Sequence, residues 1–236
     1  MIKLLNLDPV SVGTTPAEEA YMRRYLRPDT VLVSRAAQGV PEAIESEYDE
    51  AAAAPRVVEA CVQAEREGFD GIFVDCFGDP GVRAAREAVD IPVFGGFEPA
   101  MHLAMGVADR IAVITVLPGV VPMIRGAISR AGLERRVVCV ESVDIPVLEL
   151  GDRGKLLNAL SERAVRAHEL WGAEAVVLGC TAMIGVAEKL EADLENRGLA
   201  MPVIEAGQAA LTLLELYAGM GLKHSRSTYH RPVRLS

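Results

Sequence analysis

A chain of 236 residues, 50% of them hydrophobic, has enough apolar surface for one or two ordinary cores without disulfide or metal staples. Its 33 acids against 24 bases leave a formal charge of −9, which argues against nucleic acid or an anionic membrane as a general partner and leaves a small-molecule substrate as the expectation. The first residues run straight into a strand-like stretch, and no apolar run approaches the roughly 20 residues that cross a bilayer, so the reading is a cytoplasmic chain with no membrane partner.

In chain order, short Val, Ile and Leu runs at 3–6, 30–34, 71–74, 93–94, 111–115, 137–140, 175–178 and 203–204 predict strands. Longer patterns between them predict helices from Pro16 to before Pro28, then at 55–67, 80–89, 99–107, 122–130, 155–170, 182–196 and 209–217. The first helix has the clearest start: Thr15 as cap, Pro16 at the first helical position and Glu18 three residues after the cap. Apolar strands alternating with helices specify an α/β fold with parallel sheets.

An internal repeat divides the pattern. Gly68-Phe-Asp-Gly-Ile-Phe-Val-Asp-Cys76 and Gly172-Ala-Glu-Ala-Val-Val-Leu-Gly-Cys180 share their glycine-to-cysteine spacing, acidic third position and apolar strand, 104 positions apart. Ile91-Pro92-Val93-Phe94 is echoed by Met201-Pro202-Val203-Ile204, and residues 2–7 by 111–116, which aligns Asn6 with Thr115. Two similar lobes follow, 1–97 with 207–222 and 98–206, each a parallel sheet flanked by helices, related by a pseudo-twofold axis with the active site between them.

Ligands of such sheets collect beyond the carboxyl ends of the strands, where Cys76 and Cys180 both sit. Inverting a carbon that bears an acidic hydrogen needs a base on one face and an acid on the other, and one thiolate with one thiol meets that demand. Thr181 is expected to cap a helix from Ala182, placing Cys180 deeper in a helix field than Cys76, whose helix comes later with Asp79 as its cap. Charge developing on the substrate oxygen needs donors, and the candidates are the amides around Phe77-Gly78 and Thr181-Ala182 with the side chains of Asn6 and Thr115. Asp8 lies in the same substrate-side loop.

Cys61, within a helix, and Cys139, within a strand, read as buried structural residues. The histidines at 102, 168, 224 and 230 have no metal spacing, and no GxGxxG follows the first strand. The basic end of the chain, 223–236, reads by default as a flexible tail, with docking on a neighbouring subunit as the alternative.

The motifs Asp75-Cys76-Phe77-Gly78-Asp79-Pro80-Gly81, Gly95-Gly96-Phe97-Glu98-Pro99-Ala100-Met101, Leu117-Pro118, Val143-Asp144-Ile145-Pro146-Val147-Leu148 and Leu178-Gly179-Cys180-Thr181-Ala182-Met183 resemble the aspartate/glutamate/hydantoin racemase superfamily, and within it the hydantoin racemase branch. The resemblance implies a two-base racemisation by Cys76 and Cys180 without pyridoxal phosphate or metal, a homo-oligomer, and 5-monosubstituted hydantoins or related ureides as substrates. Two departures bear on the substrate. The branch's Asn-Pro-Asn loop reads Asn6-Leu7-Asp8 here, and its paired threonines read Thr115-Val116. An amino-acid racemase or other isomerase on this scaffold, and a non-catalytic metabolite-binding protein, stay open as alternatives.

Overall fold

The computed structural model describes residues 1–233. They divide into two compact units: Met1–Ile44 with Tyr48–Gly96 and the chain from Ala210 onward, and Glu45–Glu47 with Phe97–Ala209. In the first, strands β1 (Lys3–Asp8), β2 (Val31–Ala36), β3 (Gly71–Val74) and β4 (Val93–Phe94) form a parallel sheet ordered β2-β1-β3-β4. In the second, β5 (Ile111–Thr115), β6 (Val137–Ser142), β7 (Ala175–Leu178) and β8 (Val203–Glu205) form a parallel sheet ordered β6-β5-β7-β8. The same order recurs because the same pattern of apolar runs recurs. The central strands β3 and β7 are buried at all four positions, as a sheet covered on both faces requires.

Helices α1 (Pro16–Arg23), α2 (Glu47–Arg66) and α3 (Val82–Ala88) precede the boundary at Gly96, and α4 (Phe97–Met105), α5 (Val121–Arg130), α6 (Arg153–Trp171) and α7 (Ala187–Asn196) lie in the second unit. Helix α8 (Ala206–Met220) carries the chain from one unit to the other. The start of α1 is as expected: the Glu18 amide donates to Thr15 Oγ1 at 3.3 Å, and the Thr15 amide donates back to Glu18 Oε2 at 2.8 Å. Among the described residues, no helix is long and apolar enough to cross a membrane.

Three of the helix starts that differ from expectation have a local reason. Helix α2 begins at Glu47, not Pro55, which lies inside it. The acidic and alanine-rich run before the proline propagates helix well enough to carry one missing amide donor. Helix α3 begins at Val82 because Asp79 (φ 56°) and Gly81 (φ 69°) are both left-handed, so Asp79 is not its cap. Helix α7 begins at Ala187, not Ala182, because Gly185 (φ 73°) breaks the helical path. Thr181 therefore caps no helix at Ala182, and the next helix starts at the far end of the loop that Cys180 opens.

The basic end of the chain is seated on its own lobe, contrary to the expectation of a flexible tail. Arg226 donates to the carbonyls of Arg86 and Glu87 at 3.0 Å and to that of Val89, so one guanidinium covers the carbonyl end of α3. It also pairs with Asp90, as does Arg231 at 2.6 Å. The Val93 amide, at the start of β4, donates to His224 Nε2 at 2.9 Å. Arg226→Ala is expected to lower the unfolding free energy by about 1–2 kcal/mol, read as a shift in urea midpoint at constant slope. The last three residues of the predicted tail lie outside the described residues.

Candidate active site

Backbone bonding defines which positions of the two sheets are equivalent. The amide of Asp75 donates to the Leu7 carbonyl at 2.9 Å, and that of Gly179 donates to the Ile114 carbonyl at 2.7 Å. One residue on, the carbonyl of Asp8 accepts from Ala37 and that of Thr115 accepts from Val143, both at 2.9 Å. Thr115 is therefore the counterpart of Asp8, not of Asn6. The sequence alignment was two places off because it matched strand starts, whereas β1 is paired with β3 from Leu4 and β5 with β7 from Ile111.

The two cysteines stand at equivalent positions and open equivalent turns. Cys76 stands two residues after the end of β3, and its carbonyl accepts from the Asp79 amide at 3.4 Å; Cys180 stands two residues after the end of β7, and its carbonyl accepts from the Met183 amide at 3.1 Å. Phe77-Gly78 and Thr181-Ala182 occupy the two central positions of these turns, whose closing bond uses neither central amide. Both thiols are half-buried, whereas Cys61 and Cys139 are buried. Burial raises the Cys61 thiol pKa far above its usual range. It also pushes Cys139 up to about 12, with the nearby Glu141 adding to the effect. Iodoacetamide at neutral pH is accordingly expected to label Cys76 and Cys180 in the folded chain and to spare Cys61 and Cys139, with peptide mass spectrometry as the readout.

Around the end of β1, the first lobe carries a directional hydrogen-bond chain. Asn6 Nδ2 donates to Thr14 Oγ1 at 2.8 Å, Thr14 Oγ1 donates to Asp8 Oδ1 at 2.7 Å, and the Thr14 amide donates to Asp8 Oδ2 at 3.0 Å. Asn6 is fully buried, and its Oδ1 accepts no hydrogen bond from the described residues. Burial raises the Asp8 pKa and the Glu18 charge adds to this, while the two bonds from Thr14 oppose it. The folded chain thus holds the Asp8 proton more tightly than the unfolded chain. Stability falls as pH rises from the ordinary 3.8 through the raised value, and the ionised group is a cost above that window. Asp8→Asn should gain on the parent as pH rises through this window; urea midpoints that differ by a pH-independent amount would contradict it.

In the second lobe, the fully buried Thr115 donates through Oγ1 to the Gly179 carbonyl at 3.0 Å. Its proton is directed at the backbone just before Cys180, which holds the cysteine's approach in place. Glu205, 4% exposed at the end of β8, accepts through Oε1 from the amides of Val186 and Ala187, both at 3.0 Å. Sequence reading missed Thr14 and Glu205. Thr14 reads as loop beside the Thr15 cap, and Glu205 reads as the last residue before a helix. Among the described residues, no three His, Cys, Asp or Glu side chains gather as a metal ion would require.

The Asp/Glu/hydantoin racemase family model matches residues 4–214. The chain is 34% identical to a hydantoin racemase of Pseudomonas sp. (strain NS671) over 99% of its own length and 92% of the relative's. It is 36% identical to a hydantoin racemase of Rhizobium meliloti over 81% and 78% of the two chains. Its backbone is similar to allantoin racemase from Klebsiella pneumoniae with a TM-score of 0.88 and 31% identity, covering 98% of this chain and 94% of that one.

The chain belongs to the Asp/Glu/hydantoin racemase family. It is thereby an isomerase of the racemase class. Within the family fold, the sheet order and the paired turns account for the sequence repeat: each lobe uses its third strand in chain order of pairing, β3 or β7, to deliver one cysteine at a carboxyl end.

Proposed function

We propose that this racemase inverts C5 of a 5-monosubstituted hydantoin or a related cyclic ureide, with Cys76 and Cys180 as the two bases. The observation that carries the reading is the equivalence of the two half-buried thiols, each opening the same turn at the end of the same strand of its sheet. The relatives named as hydantoin and allantoin racemases support the substrate class.

In the proposed cycle, the thiolate on one face takes the C5 proton and the thiol on the other face gives one back. Each turnover leaves the protonation of the pair reversed, ready for the opposite enantiomer. The electron pair released at C5 moves onto the adjoining carbonyl oxygen, where the central amides of the two turns, at Phe77-Gly78 and Thr181-Ala182, act as donors. The β1 end offers the complementary groups. The Asn6 carbonyl and the Asp8 carboxylate are acceptors, suited to ring N–H groups and unsuited to the carboxylate of a free amino acid.

Incubation with enantiopure 5-substituted hydantoin, allantoin, aspartate and glutamate in deuterium oxide tests the proposal, with enzyme-free controls. Inversion with deuterium at C5 of a ureide, beyond the control and absent from the amino acids, is the expected result. Inversion of an amino acid alone would replace the substrate class, and binding without exchange in any of them would replace the racemase reading by a metabolite-binding one.

A further inference from the structure

Strand pairing makes Gly95 the counterpart of Glu205, since Ile72 pairs with Val93 as Val176 pairs with Val203. The two positions differ in a telling way. In the second lobe the strand-end residue is the carboxylate itself: Glu205 reaches from β8 to the amides of Val186 and Ala187 and closes the loop that begins at Cys180. In the first lobe the residue at that register, just past β4, has no side chain, and the carboxylate of Asp79, from the Cys76 turn, fills that place. A Cβ on Gly95 would stand 2.0 Å from Asp79 Oδ1. Gly96, next along, donates its amide to the Cys76 carbonyl at 3.0 Å.

Each lobe thus has one carboxylate in the seam between its cysteine loop and its last strand, supplied from opposite sides of that seam. We infer that Glu205 is a positioning residue for Cys180 and Asp79 one for Cys76, each acting on its own thiol by fastening the loop that carries it. A carboxylate oxygen shared by two amides at the start of α7 is well suited to the task, because charge-assisted bonds in a buried setting are strong and directional. Glu205 also pairs in register with Leu178, two residues before Cys180, so it holds the loop's far end beside its origin. The left-handed backbone at Asp79 (φ 56°) is a conformation that aspartate tolerates better than most residues, and it allows the turn and the side-chain reach together.

The inference rests on the reading of Cys76 and Cys180 as acid and base, but its test needs no substrate. Alkylation rates of the two thiols by iodoacetamide, resolved by peptide mass spectrometry on the folded full-length chain, report each loop separately. Glu205→Ala is expected to raise the Cys180 rate about tenfold while the Cys76 rate stays within about twofold, and Asp79→Ala to do the reverse. Glu205→Gln keeps an acceptor oxygen and should bring the Cys180 rate most of the way back. Should Glu205→Ala not fold, Glu205→Asp, which withdraws the oxygens by one methylene, is read by the same ratio. An unchanged ratio, both thiols quickening together, or a glutamine variant no better than alanine would each overturn the positioning role. Failure of the parent chain to racemise any ureide would overturn the proposed function and leave this ratio readable.

Discussion

Cys76→Ala and Cys180→Ala are each expected to reduce racemisation by at least ~10³-fold, since each removes the only general acid or base assigned to one face of the substrate. The more discriminating outcome is what survives. With one thiol gone, the other can still take the C5 proton from its own face and return a solvent deuteron to that same face. Exchange without inversion is then expected for one enantiomer in Cys76→Ala and for the other in Cys180→Ala, read by nuclear magnetic resonance in deuterium oxide. A single variant that exchanges both enantiomers, or one that inverts at the parent rate, would remove that cysteine from the mechanism. Far-ultraviolet circular dichroism should be unaltered, because both side chains are half-buried at loop positions.

Gly179→Ala is the second large effect. The added Cβ would lie 2.9 Å from Val113 Cγ1, 3.2 Å from the Ile114 carbonyl oxygen and 3.2 Å from Thr115 Cβ. All three belong to β5, a central buried strand, and its backbone cannot retreat, because Ile114 and Thr115 are held there by pairing with β6 and β7. The chain must instead displace the residue before Cys180 and with it the Thr115 hydrogen bond to the Gly179 carbonyl. Overpacking of this kind costs about 1–3 kcal/mol, and the urea midpoint should fall accordingly. Activity should fall further than stability accounts for, since a small misplacement of a catalytic group is costly on its own. The equivalent position in the first lobe holds Asp75, so the fold as such accepts a side chain there; it is the packing of this lobe that does not. A variant with parent activity and midpoint would show that the strand end yields.

Much of this was legible in the chain. All eight strands among the described residues were expected within a few residues, because buried parallel strands are continuous apolar runs bounded by turn residues. The capping box of α1 was legible because its partners are three residues apart. The two cysteine positions were legible through the repeat, since duplication keeps spacing even where residue types diverge. The starts of α3 and α7 were not, because a left-handed residue at Asp79 or Gly185 stops a helix without leaving a sign that composition can read.

The sequence by itself determined the parallel α/β class, the doubling of the pattern and the placement of one cysteine after the same strand of each half, since each depends on local periodicity and fixed spacing. Only the tertiary structure decided which residues meet around those cysteines. That Thr115 answers to Asp8, that its hydroxyl is spent on Gly179, that Thr14 links Asn6 to Asp8 and that Asp79 and Glu205 fill the same seam from opposite sides all follow from strand register and hydrogen bonds between distant segments. The basic end was decided in the same way: four backbone carbonyls and a carboxylate, gathered by the end of α3 and the tail's own turn, outweigh the freedom its composition suggests. Partners separated by tens of residues leave no periodic trace along the chain, which is why chemistry was readable from it and geometry was not.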